Sequence, residues 1–326
     1  MLPEAARLVL AFCASAATIH FMLRLRLHGA LDEPNQRSLH HRPVPRTGGI
    51  GILAAAAIGA ADGGGPWLVT ALAFSLAAVS ALDDQFDLPI LFRFLAHFLA
   101  ALGLWAGGGL PDGGWPASLA AIIAVVWMTN LYNFMDGADG LAGGMALFGF
   151  AAYAYAALKG GDAQIAVYCT YIAAGAAGFL LFNFHPARIF MGDVGSIPLG
   201  FLAAALGLEG LRRDLWPLWF PLVVFSPFIV DASVTLLRRL FNGERVWQAH
   251  REHHYQVMVR SGLGHRATAL IWYVLMVSAC ASACAALALP SLASGLMLGL
   301  WAVVYLVLGY TVNAKCRRHI EGRSGC

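Results

Sequence analysis

Apolar residues fill this chain in eleven consecutive blocks, 5–23, 48–62, 66–82, 89–107, 115–132, 141–158, 164–182, 195–210, 216–236, 267–288 and 292–312, each closed by a short polar or glycine-rich break. A block of about 20 apolar residues wound as helix spans a hydrocarbon core of about 30 Å. These blocks are apolar on all sides and lack a single hydrophobic stripe, so lipid and other helices must be their surroundings. The pattern predicts an all-α, polytopic integral membrane bundle of about 10–11 transmembrane helices, forming one domain over residues 1–326. The blocks 48–62 and 195–210 are short and glycine-rich, which leaves the count at ten or eleven.

Composition agrees, with 59% hydrophobic residues, 12% charged and a mean hydropathy of +0.68. Too little polar surface remains for a large soluble domain. A formal charge of +3, with the arginines divided among loops, excludes a nucleic-acid partner. Its six cysteines contain no CxxC pair, so neither a zinc site nor a disulfide framework is indicated. Arg24 and Arg26 follow the first apolar block, the reverse of a cleavable signal peptide. The block is therefore expected to stay as the first span, with the amino terminus outside. Under that topology only Arg7, Lys159, Arg212 and Arg213 fall outside, leaving 17 of the 21 Lys and Arg on the cytoplasmic side.

The same topology collects every unusual polar cluster on that side. LDDQFD ends the third block with Asp83, Asp84 and Asp87. Carboxylates this close raise one another's pKa unless a cation or hydrogen-bond donors neutralise them. The adjacent pair suits metal binding or proton transfer, while Asp87 reads equally well as a solvated helix end. NLYNFMDGADG carries Asn130, Asn133, Asp136 and Asp139, with Gly137 and Gly140 allowing the chain to leave a span and turn. A plain Asp-Gly turn is the bland reading; the two amides at the end of an apolar helix argue for more. FNFHPARIFMGDVGS breaks at Pro186 and sets Asp193 among small residues at a helix start, where free N–H groups favour phosphate.

Two basic segments complete the set. LDEPNQRSLHHRPVPRTGG offers His40, Arg42, Arg46 and Thr47 before Gly48 and Gly49, either as a phosphate-binding turn or as a simple juxtamembrane loop. Arg238, Arg239 and Arg245 precede AHREHHYQ, with His250, Arg251, His253 and His254. Arg and His suit a diphosphate, although a basic loop beside a membrane also binds anionic headgroups or marks topology. Acidic metal-type clusters and basic phosphate-type loops on one membrane face together describe phosphoryl transfer between a soluble and a lipid substrate.

On the motifs LDEPNQRSLHHRPVPRTGG, LDD, NLYNFMDGADGLAGG, FNFHPARIFMGDVGS, PFIVDASVTLLRR and AHREHHYQ, in this order from about residue 31 to 256, the chain closely resembles the polyprenyl-phosphate N-acetylhexosamine-1-phosphate transferases, of glycosyltransferase family 4 type. The resemblance implies a multi-pass enzyme of the bacterial inner membrane with its active site facing the cytoplasm. It implies transfer of sugar-1-phosphate from a UDP-N-acetylhexosamine to undecaprenyl phosphate, releasing UMP, with magnesium required and manganese as the alternative ion. Carried over by motif, Asp193 and Asp84 hold the metal, and Asp83 is the candidate that activates the lipid phosphate. Asp136 and Asp139 belong to the nucleotide site, Asn130 and Asn133 to the substrate site, and Phe190 stacks near uracil. Arg251 and His253 match the loop that contacts the diphosphate, and Arg46 and His254 are further candidate substrate-binding residues. A homodimer is a further implied property.

HREHHYQ departs from the better-known branches, because Tyr255 stands where a later histidine is usual. The segment looks like the branch that initiates O-antigen-type surface and lipopolysaccharide glycans, which points to UDP-FucNAc or UDP-QuiNAc as donor. A cation-coupled transporter is the rival class, but it should carry its ionisable residues near mid-membrane and show related halves. The signature of CDP-alcohol phosphotransferases is absent.

Overall fold

The computed structural model describes residues 3–25, 31–32, 43–63, 65–110, 113–245, 248 and 250–324; His40 and Arg42 lie outside them. The chain is all-α, about 80% helical. Its helices are α1 (Glu4–Arg24), α2 (Gly49–Gly63), α3 (Trp67–Phe86), α4 (Ile90–Ala106), α5 (Gly114–Phe134), α6 (Leu141–Lys159), α7 (Ala163–Asn183), α8 (Asp193–Arg212), α9 (Trp219–Val224), α10 (Ser226–Phe241), α11 (His254–Met258), α12 (Gly264–Ala286) and α13 (Ser291–Ser324). Two-residue strands, β1 (Leu31–Asp32) and β2 (Val44–Pro45), pair antiparallel with Leu31 opposite Pro45.

Among the described residues, eight helices are long and apolar enough to cross a membrane, and α2 and α4 are shorter apolar helices. The expected ninth span, 216–236, is not one helix. It divides at Phe225 into α9 and α10, because Pro227 occupies the first turn of α10 and cannot continue a helical ladder from α9. A π turn, Val259–Leu263, joins α11 to α12, with Gly262 at φ +93° and Gly264 at φ +71°.

α7 is the central staff, packed against α1, α2 and α6, while α8 packs against α3 and α5. Small residues permit this, since without a hydrophobic drive in lipid the helices gain by close backbone approach. Buried hydroxyls find partners across the bundle: Tyr132 donates to the Ala142 carbonyl at 2.7 Å, and Tyr153 to Ala203 at 3.1 Å.

Ion pairs gather at the two ends of the helices. At one end Arg7 meets Asp62 at 2.8 Å, and Arg213 joins Asp162 and Glu209. At the other end, where α3, α5, α7 and α10 finish and α4, α6, α8 and α11 begin, lie the described residues of the clusters singled out in the sequence.

Candidate active site

Arg46 reaches the carboxylates through a backbone crossing that the glycines allow. The Phe190 N–H donates to the Pro45 carbonyl at 2.7 Å, and the N–H groups of Gly48 and Gly49 donate to the carbonyls of Phe190 and Met191 at 2.9 and 3.0 Å. Gly192 takes φ +70° beneath the Arg46 carbonyl, which a Cβ there would overlap. Gly49 and Gly195 touch at the starts of α2 and α8, where a side chain on either would strike the other's backbone. The PVPRTGG and FMGDVGS segments are thus one unit, holding Arg46 over the first turn of α8.

Around that unit stand three carboxylates and two guanidiniums. Arg46 pairs with Asp84 Oδ1 at 2.9 Å, and Arg93 with Asp83 Oδ2 at 3.1 Å. The second oxygen of Asp83 accepts the Leu88 N–H at 2.8 Å, so both its oxygens are engaged. Asp87, exposed and left-handed at φ 49°, ends α3 and lets α4 fold back with Arg93. Asp193 opens α8 within electrostatic reach of Arg46, Arg93 and Asp83, and hydrogen-bonds the Asn133 side chain. Asn133 Oδ1 also accepts from Ser196 Oγ at 2.8 Å.

This cluster closes the polar end of an otherwise apolar cavity of about 580 Å³. Phe94, Phe98, Ile122, Ile123 and Trp127 line its walls, and Arg93, Asn133 and Asp193 stand at its head. Asn130 and His97 also line it; Asn130 Nδ2 donates to the Val126 carbonyl at 2.7 Å and its side chain meets the buried His97 ring.

Asp139 goes elsewhere. Its Oδ2 lies 2.6 Å from His185 Nδ1 and accepts the Ala187 N–H at 3.2 Å. His265 Nδ1 accepts the Asp139 backbone N–H at 3.2 Å, and the two imidazoles stack 5.7 Å apart. A ring nitrogen that accepts cannot donate to the nearby carboxylate, so the charge-assisted contact is the one with His185. Next to this knot, the Gly140 N–H donates to Asn183 Oδ1 at 2.9 Å and Tyr273 donates to the Gly140 carbonyl at 2.7 Å.

The basic loop forms a third group. Arg239 is buried, and it pairs with Glu244 and Glu252; Arg238 reaches Glu252 at 3.3 Å. His253 stacks on Phe134 with ring centroids 6.4 Å apart and on Tyr255 at 5.9 Å. Tyr255 donates to the Phe134 carbonyl at 3.0 Å, in a gap that only Gly137 leaves open. The loop is therefore docked directly on the NLYNFMDGADG turn, beside Asp136. Burial first, then His253 and the Arg239 and Arg238 guanidiniums, push the His250 imidazole down to about 4.

A probable undecaprenyl-phosphate N-acetylglucosaminyl 1-phosphate transferase of Bacillus subtilis strain 168 is 30% identical to the chain over 293 residues, covering 82% of each. The chain belongs to the polyprenyl-phosphate N-acetylhexosamine-1-phosphate transferase family. An undecaprenyl-phosphate alpha-N-acetylglucosaminyl 1-phosphate transferase of Yersinia pestis is 26% identical over 325 residues, covering 89% of this chain and 86% of its own. A decaprenyl-phosphate N-acetylglucosaminephosphotransferase of Mycobacterium leprae is 28% identical over 295 residues, covering 75% and 74%. The description Glycosyl transferase family 4 matches residues 66–211. As a member of this membrane transferase family, the chain is a multi-pass membrane protein.

Of the residues flagged in sequence, this family member brings Asp83, Asp84, Asp193, Asn133 and Arg46 together, with Asn130 deeper along the cavity wall. Asp139, and the loop residues His253 and His254, form separate groups. Phe190 contributes its backbone to the crossing under Arg46. Sequence reasoning did not assign Arg93, His97, His185 or His265 to a site. Arg93 and His97 lie four apart, one helical turn, on an apolar helix, and that spacing was the available signal. His265 becomes visible only once α12 is folded against α6. Among the described residues no group of three or more His, Cys, Asp or Glu could hold a metal ion.

Proposed function

We propose that the protein transfers an N-acetylamino-sugar-1-phosphate from a UDP-sugar to undecaprenyl phosphate, giving the diphosphate-linked lipid sugar and UMP. The observation that carries this reading is the largely apolar cavity headed by Arg93, Asn133 and Asp193, of which Arg93 pairs with Asp83 and Asp193 lies within electrostatic reach of Arg46, the partner of Asp84. A polyprenyl chain fits the aromatic and aliphatic walls, and its phosphate then meets the charged head. The named activities of the relatives support the same acceptor class and an N-acetylhexosamine donor.

The donor set fits a hard divalent cation. Three carboxylates face two guanidiniums, leaving a net negative charge at the cavity head, and every side-chain donor not on Arg is an oxygen or amide. Asp84 and Asp193 would hold magnesium, or manganese; an ion bound there with phosphate and water completing its shell needs only one or two protein carboxylates. When bound, it supplies charge neutralisation between two phosphate groups that otherwise repel. Arg46 and Arg93 share that task as permanent cations. A phosphate monoester is largely ionised near neutral pH and has little need of a base, so in this reading Asp83, which accepts from Arg93 and the Leu88 N–H, positions Arg93 and the start of α4.

In this reading the cluster end faces the cytoplasm of a bacterial inner membrane, as the Lys and Arg bias supports. The NLYNFMDGADG turn and the basic loop hold the UDP-sugar. Its sugar is proposed as FucNAc or QuiNAc, for O-antigen-type initiation, on the HREHHYQ departure. Purified protein, magnesium and undecaprenyl phosphate with a panel of UDP-N-acetyl sugars should release UMP and form lipid-linked sugar. A preference within the panel identifies the donor, and a preference for UDP-N-acetylglucosamine would overturn the deoxy-sugar assignment.

A further inference from the structure

α10 carries a buried carboxylate that the proposed chemistry does not use. Asp231 is 3% exposed and lies in the first half of α10, two turns before Arg239. A buried carboxylate without donors is costly, and one in a membrane protein marks a function or a fixed contact. Here both oxygens are engaged. Oδ1 accepts the His254 backbone N–H at 2.8 Å and the Thr235 hydroxyl at 3.2 Å; Oδ2 accepts the Tyr255 backbone N–H at 3.2 Å. His254 Nδ1 lies 2.9 Å from Oδ1, and the His253 ring 3.7 Å. An ionised carboxylate only accepts, so His254 carries its proton on Nδ1.

The contacts fall at one junction, the start of α11, where the first N–H groups of a helix have no partner of their own. Gln256 Oε1 accepts the His253 N–H at 3.3 Å from within α11, and α10 supplies Asp231 from outside to the next two, those of His254 and Tyr255. Two turns further on, Arg239 grips Glu244 and Glu252 from the same helix. Glu244, Glu252 and the start of α11 are thus all held by α10, with His250 and Arg251 beside Glu252 in sequence. His253, fixed next to Asp231, is then stacked on Phe134 of the NLYNFMDGADG turn.

We infer that Asp231 is the positioning residue of the basic loop: by accepting two α11 N–H groups and the His254 Nδ1 proton, it presets the loop against the α5–α6 turn as a ready anion-binding surface for the UDP-sugar diphosphate. This rests on the reading of that loop as the donor-binding loop. Preorganisation of this kind lowers the ordering cost of binding, so its loss should appear in donor affinity before turnover.

The geometry supplies its own test. An Asn side chain places an N–H where imidazole Nδ1–H stands, whereas Gln places one nearer Nε2. With the UDP-sugar that turns over in the panel as the probe, His254→Gln should raise the donor KM about tenfold or more, as loss of a charge-assisted hydrogen bond does, and His254→Asn should raise it several-fold less than His254→Gln does. Asp231→Asn should also raise the donor KM about tenfold, leaving kcat and the undecaprenyl-phosphate KM within a few-fold. The two His254 variants decide the matter should Asp231→Asn fail to fold. Retention in His254→Gln with loss in His254→Asn would place the working nitrogen at Nε2 and overturn the proposal. Unchanged donor KM in both His254→Gln and Asp231→Asn, with Arg251→Ala raising it, would overturn the proposal while the donor-loop reading stands. Unchanged donor KM in Arg251→Ala would remove that reading, and the proposal with it.

Discussion

Gly192 shows how narrowly single residues set this site. Its backbone conformation, φ +70° and ψ 170°, is open essentially to glycine alone and costs any other residue about 1–3 kcal/mol. A methyl group there would also push on the Arg46 carbonyl and move the Arg46 guanidinium off Asp84. Gly192→Ala should therefore lower turnover more than tenfold. Gly161→Ala, at φ +82° with open space around it, carries the strain at the opposite end and should leave turnover near normal. Comparable losses in both would show that strain alone matters. Asp83→Asn distinguishes two roles by magnitude. Loss of a part-exposed ion pair with Arg93 is worth about 1 kcal/mol or less, roughly fivefold, whereas loss of a general base costs about 10²–10⁴-fold. Turnover within about tenfold of the parent is expected, and a hundredfold fall would restore the base. At this scale the sequence drew the eye to Asp83, Asp84 and Asp193, carboxylates at the edges of apolar blocks, and offered Arg93 only through its one-turn spacing from His97. It was silent on His265, whose partner Asp139 lies 126 residues away.

Between helices, the turns do the assembling. The Asp139 carboxylate ties the α5–α6 turn to His185 and Ala187 after α7, and the Asp139 backbone to His265 on α12. Asp139→Asn leaves the amide carbonyl able to accept the Ala187 N–H but removes the charge facing His185. A stability loss of about 1–3 kcal/mol is expected, as when a buried charged hydrogen bond is broken, read as a lowered thermal midpoint in detergent. An unchanged midpoint with impaired UDP-sugar use would move Asp139 into the donor site. The basic loop gives a pH signature. The His250 imidazole is held down to about 4 against an ordinary 6.5, so folding favours its neutral form. The stability this contributes is whole above about pH 6.5 and is lost as pH falls through about 4, because the unfolded chain takes up the proton first. His250→Gln should flatten that part of the stability profile measured by thermal unfolding. The motifs foretold that these turns would be special, through Asp-Gly, Gly-Gly and Pro placement. They did not foretell which turn joins which, since FMGDVGS meets PVPRTGG across more than 140 residues.

For the whole molecule, the length of the apolar blocks carried most of the architecture, because a membrane admits only helices and closed barrels and about 20 apolar residues fit a spanning helix. The expected span at 216–236 was lost as a single helix to Pro227, a local veto that block length overlooks. The grouping of the motifs at one end of the bundle followed from alternating helix direction, and their described residues stand there. The apolar cavity beside the charged cluster had no sequence signature at all, since its walls come from α4, α5, α8 and α10 together. That cavity is the basis of the central claim, and UMP release in the presence of undecaprenyl phosphate tests it most directly. Purified protein with magnesium and a turned-over UDP-N-acetyl sugar should release UMP only when undecaprenyl phosphate is present. Substituting Ile123→Trp or Val126→Trp in the cavity wall should raise the KM for that lipid without changing the donor KM. No UMP from any UDP-sugar in the panel, with the folded parent protein, would contradict the account.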